Sequence, residues 1–389
     1  MPQGTQKTTV TGGCMKKELT STLQIKRNNR RKVLRYILSH DAISRQEIAQ
    51  GLGISTPTVL QNVNELMQMG LVRDAGQYES TGGRKAGIVA ANADAVYSVG
   101  IEITRNHIGM VLVDLAGHLV CESRESCVYC HDADYYYRLG TAVEHFTRQS
   151  GIHCERIGYA GISIPGILDH EKKVITDSHV LELARLDCTV FQELLPWPCS
   201  FENDANAAGY AELRDLSAEG TMIYLSLSNS VGGAIYQNGV LLPGSEERGG
   251  EFGHMRIVPE GRLCYCGQTG CLDAYCSALR LTEQTDGNLE QFFEEISHQN
   301  PKLMTVWQDY LHWLSYAVIN LRMIFDGKII LGGYVGGYLA PYLDSLRDQV
   351  RRMDPFGHTG DYLFCGKYRQ LASAYGAALR PLDTFLESI

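Results

Sequence analysis

The most specific part of the sequence is residues 249–273, which read GGEFGHMRIVPEGRLCYCGQTGCLD. One imidazole and three thiolates, spaced as H-x9-C-x-C-x4-C, form the ligand set of a closed tetrahedral zinc site without room for a catalytic water. Glycines 267 and 270 permit the tight turn that such closely spaced sulfurs require. The pattern therefore predicts a structural zinc, and the alternative is a set of unliganded buried cysteines beside a chance histidine. The predicted metal ligands are His254, Cys264, Cys266 and Cys271.

The composition indicates a globular protein with more than one core. The chain has 389 residues, 44% of them hydrophobic, which is enough for two or three domains. Its twelve cysteines are irregularly spaced, no apolar signal segment begins the chain, and no apolar run reaches membrane-spanning length. We therefore expect a cytoplasmic protein with reduced thiols and no membrane partner.

Charge is distributed unevenly along the chain. The net charge is −9, but residues 1–90 hold 13 Lys and Arg against 6 Asp and Glu, a net +7, which leaves 22 against 38, a net −16, for the rest. A basic head on an acidic body is typical of a nucleic-acid-binding module joined to a domain with another task.

The basic head contains the pattern of a helix-turn-helix. After a first helix with a basic face, Ser44 and Glu47 form a capping-box pair that opens a short second helix. Thr56 is the predicted N-cap of a third helix, with Pro57 at its first position. Two short helices joined by a glycine-containing turn, the second polar on its exposed side, predict a DNA-binding unit.

A wing is predicted to follow the helices, because residues 71–92 read as two strands around a Gly82-Gly83 tip. Arg84 is placed to enter a minor groove and Lys85 to contact phosphate. The polar residues near the start of the third helix are placed to meet base edges. The predicted DNA-binding residues are Ser55, Thr58, Gln61, Asn62, Arg84 and Lys85.

From Val96 onward, strand and helix patterns alternate, which predicts an α/β body. Three features of the body are distinctive: the SIPG loop at 163–166, the ENDANAA segment at 202–208, and the cysteine-rich run. Together with the helix-turn-helix head they resemble the ROK family, named for repressors, open reading frames and kinases, and more closely its sugar-responsive repressors. The resemblance extends from about residue 25 to 380.

The resemblance implies an actin-like ATPase (ribonuclease H-like) fold, with two α/β lobes around a cleft that holds sugar and, in kinase members, ATP. We therefore expect an α/β protein with a winged helix-turn-helix at its N-terminus. The expected boundaries are 1–20 for a flexible lead-in, 21–92 for the winged helix-turn-helix, 93–202 for a small lobe completed by the C-terminal helix 366–389, and 203–365 for a large lobe with the zinc site.

The resemblance also implies a sugar site. Amides and carboxylates suit paired hydroxyls, and His254 would bind zinc through one ring nitrogen and sugar through the other. Two of the implied residues, Asn203 and Asp204, could also serve as the N-cap of the helix that follows them, and that role is compatible with sugar binding. The kinase members' Asn-Leu-Pro segment is missing here, and His179 or Glu182 could replace its asparagine. The implied sugar-binding residues are Asn203, Asp204, Glu251, His254 and Asp273.

The phosphate-binding loops of the kinase members are altered in this sequence. The Asp-x-Gly-Gly-Thr loop reads EITRN at 102–106, and the Gly-Thr-Gly-x-Gly-Gly loop reads SNSVGG at 228–233. A third loop keeps Gly332 and Gly333 but continues with Tyr334. Side chains thus stand where backbone amides would approach phosphate, so we infer that ATP is not used. Asp204 is the equivalent of the kinase base, without a catalytic role here.

These patterns predict a sugar-responsive DNA-binding regulator, a repressor of carbohydrate uptake or catabolism genes, rather than an enzyme. It would bind double-stranded, roughly palindromic operator DNA as a homodimer or higher homo-oligomer, with a small sugar as effector and zinc as structural cofactor. The alternative is a ROK sugar kinase that phosphorylates a hexose or pentose with ATP. A third possibility is a regulator that answers to a protein partner through its zinc-stabilised surface.

Overall fold

The computed structural model describes residues 22–77, 87–214, 216, 219–357 and 359–389. The predicted lead-in and the predicted wing tip, with Arg84 and Lys85, lie outside these residues. The chain divides into two compact units, the first extending to Asn92 and the second beginning at Ala93. Within the described ranges, no helix is long and apolar enough to cross a membrane.

The N-terminal unit consists of three helices and a small antiparallel sheet. Strand β3 lies at the centre of the sheet and pairs with β1 and β2. Apolar side chains from all three helices, among them Leu34, Ile48 and Leu66, are fully buried between them. In chain order the elements are α1 (Thr22–Leu38), β1 (Ile43–Ser44), α2 (Arg45–Leu52), α3 (Thr56–Gln68), β2 (Val72–Gln77) and β3 (Gly87–Ala91).

The helix caps confirm one prediction and correct another. The capping box of α2 is present: the Glu47 amide donates to Ser44 Oγ at 3.2 Å, and the Ser44 amide donates to Glu47 Oε2 at 2.9 Å. The N-cap of α3, however, is Ser55 rather than Thr56. Ser55 is extended, and its Oγ accepts from the Thr58 amide at 3.3 Å. Thr56 was the wrong choice because it already has helical geometry.

The C-terminal unit alternates strands and helices around two five-stranded sheets, as the sequence predicts. Its strands are β4 (Tyr97–Ile103), β5 (His107–Asp114), β6 (Leu119–Ser126), β7 (Ile157–Ile164), β8 (Ile167–Asp169), β9 (Val174–Asp177), β10 (Leu186–Asp187), β11 (Cys199–Asn203), β12 (Thr221–Leu227), β13 (Val231–Gln237), β14 (Val240–Leu241), β15 (Lys328–Gly332) and β16 (Leu363–Cys365). Its helices are α4 (Ala133–Gln149), α5 (Thr189–Leu194), α6 (Asp204–Leu213), α7 (Asp273–Cys276), α8 (Ala278–Thr282), α9 (Leu289–Ser297), α10 (Pro301–Phe325), α11 (Gly333–Gly336), α12 (Leu343–Met353) and α13 (Ala372–Ser388).

The first sheet has the strand order β11-β7-β4-β5-β6, in which β11, β7 and β4 are parallel and the last two strands continue as an antiparallel meander. Helix α4 covers one face, where Tyr135 and Leu139 join the core of the sheet. Helix α13 covers the other face through Ala374 and Leu379. A small antiparallel sheet, β10-β9-β8, follows β7.

The second sheet has the order β14-β13-β12-β15-β16. Strands β12 and β13 form an antiparallel hairpin, and β15 runs parallel to β12. The long helix α10 packs behind this sheet with Trp307 and Leu314 fully buried. The two sheets and their helices therefore form two lobes within one unit.

Helices α6 and α13 approach their neighbours closely because glycine lies at the contacts. A Cβ atom on Gly161 of β7 would lie 1.8 Å from the Ala377 carbonyl oxygen, and one on Gly376 would lie 1.7 Å from the Ala207 carbonyl oxygen. Only glycine permits such separations. Since β11 ends at Asn203 and α6 begins with the next residue, this packing places the start of α6 between the two lobes.

Candidate functional site

The structure brings the four predicted metal ligands together. The ligating atoms of His254, Cys264, Cys266 and Cys271 all lie within 4.8 Å of one another. A tight turn makes this possible: the Gly267 amide donates to the Cys264 carbonyl at 3.0 Å, and the glycines at 267 and 270 both have a φ of 80°. Side-chain residues rarely adopt such angles, so the glycines account for the close approach of the sulfurs.

The chemistry of this cluster fits a metal ion. Cys266 Sγ and Cys271 Sγ are 3.8 Å apart, about the separation of two thiolates each bound at about 2.3 Å to a tetrahedral zinc. His254 Nδ1 is buried and has no hydrogen-bond partner among the described residues. Burial raises the pKa of Cys264 to about 12, so a nearby cation is needed to keep that sulfur ionised near neutral pH. The group could therefore hold a metal ion.

A cleft of about 370 Å³ lies beside the cluster, between the lobes. Four of the five predicted sugar-binding residues line it, and we call it the sugar-side cleft. The SIPG loop, the start of β13 and the loop before the metal cluster complete its walls. The predicted residues that line it are Asn203, Asp204, Glu251 and His254.

Asn203 serves as the N-cap of α6 while lining the cleft. Its Oδ1 accepts from the Asn206 amide at 3.0 Å, and its Nδ2 donates to the Gly166 carbonyl at 3.0 Å. The capping role that the sequence left open is therefore present. Because the same amide holds the SIPG loop against the start of α6, Asn203 also fixes the shape of the cleft wall.

Asp204 occupies the first position of α6, where its Oδ1 accepts from the Ala205 amide at 2.9 Å. Desolvation raises its pKa to about 6, and the charge of Glu251 acts in the same direction. Desolvation also raises the pKa of Glu251. Two carboxyl groups that are partly removed from water and face one cleft can each accept hydrogen bonds from ligand hydroxyl groups.

Tyr265 is a cleft residue that the sequence reasoning missed. Its hydroxyl lies 3.3 Å from His254 Nε2, and its ring lies between two imidazoles, with centroid distances of 5.4 Å to His254 and 5.8 Å to His179. His179, in the loop after β9, also lines the cleft, whereas Glu182 does not and instead pairs with Arg105 at 3.0 Å. The only signal for Tyr265 in the sequence was its position between two predicted metal ligands.

Asp273 requires a correction, because it does not line the sugar-side cleft. It is buried at the start of α7, and its Oδ2 accepts from the Val231 amide at 2.6 Å. Desolvation raises its pKa to about 6. Its carboxyl group holds the first residue of β13 in place. Asp273 therefore contributes to the cleft indirectly, by holding Val231, which lines it. The structure does not place Asp273 where it would contact a ligand in the cleft.

A second cavity of about 530 Å³ lies on the other side of Asp204, and we call it the inter-lobe cavity. The replaced phosphate loops line it, and their side chains bond within the protein. Thr104 closes its own turn, since its Oγ1 accepts from the His107 amide at 2.9 Å. Ser228 Oγ accepts from the Tyr334 amide at 3.4 Å. Thr104 of the first altered loop and Ser228 of the second thus already have hydrogen-bond partners within the protein.

On the N-terminal unit, only some of the predicted DNA-contacting residues are exposed. Gln61 is exposed on α3, as predicted, and Ser55 is exposed but engaged as the N-cap. Asn62 was wrongly expected to be exposed: it is only 2% exposed, and its Nδ2 donates to the Thr58 carbonyl at 2.7 Å. Its position falls on the apolar side of the helix. The exposed residues of α3 that the prediction missed are Thr56, Pro57, Leu60, Asn64 and Gln68, whereas the predicted Thr58 is half-buried.

Comparisons with known proteins agree with this architecture. A model described as the ROK family matches residues 98–380, and one described as winged helix-turn-helix DNA-binding matches residues 26–73. The xylose repressor of Bacillus subtilis (strain 168) is 28% identical, over 94% of this chain and 97% of its own.

Solved structures show the same fold. A ROK family transcriptional regulator, described as a homolog of the E. coli Mlc protein, has a TM-score of 0.74 at 20% identity and covers 93% of this chain and 97% of its own. A ROK hexokinase from Thermus thermophilus has a TM-score of 0.60 at 25% identity and covers 75% of this chain and 99% of its own. The chain belongs to the ROK family and carries a winged helix-turn-helix ahead of the ROK body.

Proposed function

We propose that this protein is a sugar-responsive transcriptional repressor of carbohydrate uptake or catabolism genes, located in the cytoplasm. The observation that carries the proposal is that one chain contains both a DNA-binding unit and a body with a ligand-sized cleft. The predicted residues that line this sugar-side cleft are Asn203, Asp204, Glu251 and His254. The hexokinase neighbour covers 75% of this chain, whereas the xylose repressor aligns with 94% of it. The relative with the longer match thus has the same combination of parts.

The metal in this proposal is zinc, with a structural role. The donor set of three thiols and one imidazole is the one that tetrahedral zinc prefers. His254 would bind the ion through Nδ1, its unpartnered buried nitrogen, and Nε2 would face the ligand beside Glu251 Oε2, 4.0 Å away. Holding His254 in this orientation would couple the metal to the sugar-side cleft.

The charges of the sugar-side cleft favour a sugar without phosphate. Its lining carries more acidic side chains than basic ones, and Arg248 already pairs with Glu246 at 3.0 Å. An anionic ligand would be repelled by this lining, whereas a neutral sugar would find paired acceptors for its hydroxyl groups. The xylose in the name of the B. subtilis relative is such a sugar. The acidic lining residues are Asp177, Asp204, Glu247 and Glu251.

Regulation would follow from linkage between the two ligands. If sugar favours one arrangement of the lobes and DNA another, each ligand lowers the affinity of the other by the same factor. We propose release from DNA as the response, and a homodimer as the form that matches a palindromic operator. The apolar side chains of Tyr316, Met323 and Ile324, which are 38%, 42% and 66% exposed on α10, support self-association.

We further propose that the protein is not a kinase. Asp204 stands where a base would act, but a base requires a phosphoryl donor, and two of the loops that would hold one are engaged by Thr104 and Ser228. The kinase alternative predicts release of ADP in the presence of a hexose or pentose. Asp204→Asn would abolish that release, and a complete absence of ADP for every sugar tested would exclude the alternative.

The test is a binding assay with duplex DNA from the region upstream of the protein's own gene, followed by fluorescence anisotropy, with a scrambled duplex as control. We expect a Kd of roughly 10 nM or lower for the specific duplex. This Kd should rise by at least about fivefold when D-xylose or another effective neutral aldose is added. Gln61→Ala should weaken binding to the specific duplex. If no neutral, N-acetylated or phosphorylated sugar alters the affinity, the sensor function is wrong.

A further inference from the structure

The inter-lobe cavity and the sugar-side cleft are neighbours that share four lining residues. Pro165, Val180, Asp204 and Ser230 line both of them. Their volumes of about 370 and 530 Å³ each fall within the range of small-molecule sites, about 300–1,000 Å³. A ligand seated in the sugar-side cleft would therefore have a second cavity directly on the other side of Asp204.

A buried carboxyl group in the inter-lobe cavity has one oxygen without a hydrogen-bond partner among the described residues. Glu102, at the end of β4, is 6% exposed and lines the cavity, and its Oε1 accepts a hydrogen bond from Ser373. Its Oε2 is buried without a hydrogen-bond partner among the described residues. A buried acceptor left unpaired is costly, so a ligand hydroxyl donating to Oε2 would remove a cost that the free protein bears.

The rest of the lining is rich in neutral groups that bind hydroxyls. Ser226 contributes a hydroxyl and Asn229 an amide, and Ser228 adds a hydroxyl that also accepts from the Tyr334 amide at 3.4 Å. The Tyr334 ring lines the same cavity, with the Arg124 guanidinium 5.6 Å from its centroid. Hydroxyls, a planar amide and an aromatic ring with a polar tip form the kind of lining that accepts a sugar ring.

The charges of the inter-lobe cavity do not favour a polyanion. Its arginines are offset by acids of comparable number, and Arg105 already pairs with Glu182 at 3.0 Å. A triphosphate would face these acids, and the amides of Gly333 and Tyr334 already donate to the hydroxyls of Tyr224 and Ser228. The basic lining residues are Arg105, Arg124 and Arg369, and the acidic ones are Glu102, Asp204, Asp286 and Glu290.

We propose that the inter-lobe cavity is a second sugar subsite, so that the preferred effector is a neutral disaccharide or longer glycoside with one ring in the sugar-side cleft and the next beside Tyr334 and Glu102. This inference rests on the proposed sensor function and specifies its ligand. The glycosidic linkage would pass Asp204, because that residue lies at the junction of the two spaces. The hydroxyl of the first ring that faces Asp204 is then the one that carries the second ring.

The test is isothermal titration calorimetry on the full chain, comparing D-xylose with xylobiose and D-glucose with its 1,4-linked and 1,6-linked disaccharides. We expect at least one disaccharide to bind tenfold or more tightly than its own monosaccharide. Tyr334→Ala and Glu102→Gln should each remove most of that gain while leaving monosaccharide affinity within about twofold. Tyr334→Phe, which keeps the ring, is the matched control and should retain most of the gain.

The outcomes separate this inference from the proposed function. If a monosaccharide binds and no disaccharide improves on it, the second subsite is wrong and the sensor function stands. If neither class binds, both fail. A non-hydrolysable ATP analogue that binds and competes with the disaccharide would show that the cavity has kept a nucleotide site. Circular dichroism melting of each variant identifies any loss of affinity that comes from misfolding.

Discussion

The sugar-side cleft and the inter-lobe cavity meet at Asp204 yet differ in what their side chains do. In the cleft, Glu251 presents a carboxyl group, and His254 presents a ring nitrogen 3.3 Å from the Tyr265 hydroxyl. In the cavity, Thr104 and Ser228 are bonded to the protein itself. The cleft thus presents groups that can bind hydroxyls, whereas two hydroxyl groups of the cavity already have partners within the protein.

Under the proposed function, this difference would let one fold bind a sugar without catalysing its phosphorylation. Phosphoryl transfer needs a donor held in line with the acceptor, but recognition of a sugar needs only the acceptor side. The loop at residues 102–106 contributes nothing to the lining of the cleft, whereas the loop at 228–233 contributes its last four residues, Ser230 to Gly233. The following experiments test this division, from the largest expected effect to the smallest.

Cys266→Ser should have the largest effect, because it removes one thiolate from the proposed zinc site. We expect a fall in melting temperature on the order of 5 °C, which corresponds to about 2 kcal/mol in a domain of this size, together with loss of the sugar response. Differential scanning calorimetry and calorimetric titration with sugar measure the two effects. Cys276→Ser, outside the four-ligand cluster, is the control for cysteine removal. Retention of sugar affinity in Cys266→Ser would separate the metal from the cleft.

Glu251→Ala should weaken sugar binding without weakening DNA binding. Loss of hydrogen bonds to a carboxylate costs about 1.5–3 kcal/mol, or roughly 10-fold to 150-fold in affinity. Calorimetric titration measures the sugar, and anisotropy measures the operator. Glu246→Ala, whose side chain pairs with Arg248 at 3.0 Å and does not line the cleft, is the matched control. An equal loss of sugar affinity in the two variants would contradict the assignment of this cleft as the sugar site.

Sugar affinity should fall at acidic pH. The pKa of Asp204 is raised to about 6, so its carboxylate is protonated as pH falls, and we expect about tenfold weaker binding at pH 5 than at pH 7. Stability changes in the opposite direction: the contribution from this group is present below about pH 4 and is lost as pH rises through 6. Titrations across this range measure the affinity. Asp204→Asn should flatten the dependence, and an unchanged profile in that variant would assign the dependence to Glu251 or His179.

A non-hydrolysable ATP analogue should have the smallest effect. Because Thr104 and Ser228 occupy hydrogen bonds that a phosphate would need, we expect 1 mM analogue to shift the melting temperature by less than about 1 °C, as binding weaker than about 1 mM stabilises very little. Differential scanning fluorimetry with and without Mg²⁺ measures it. A shift of several degrees would reinstate the kinase alternative.

Local patterns explain which parts of the molecule the sequence could predict. The capping box at Ser44 depends on residues three apart, and the ligand spacing from His254 to Cys271 depends on a turn that glycine permits. Alternating strand and helix patterns predicted an α/β body, whereas its two lobes were implied by the resemblance to the ROK family. The local features among these are determined by neighbours in the chain, so the residues alone determined them.

Tertiary packing decided the remainder, because it depends on which side of an element faces another. Asn62 is one residue from the exposed Gln61 on α3, yet the helix turns it inward. Asp273 follows the metal ligands in sequence but is directed to the Val231 amide by the start of α7. The junction of two cavities at Asp204 depends on segments from both lobes, whose approach no local pattern encodes.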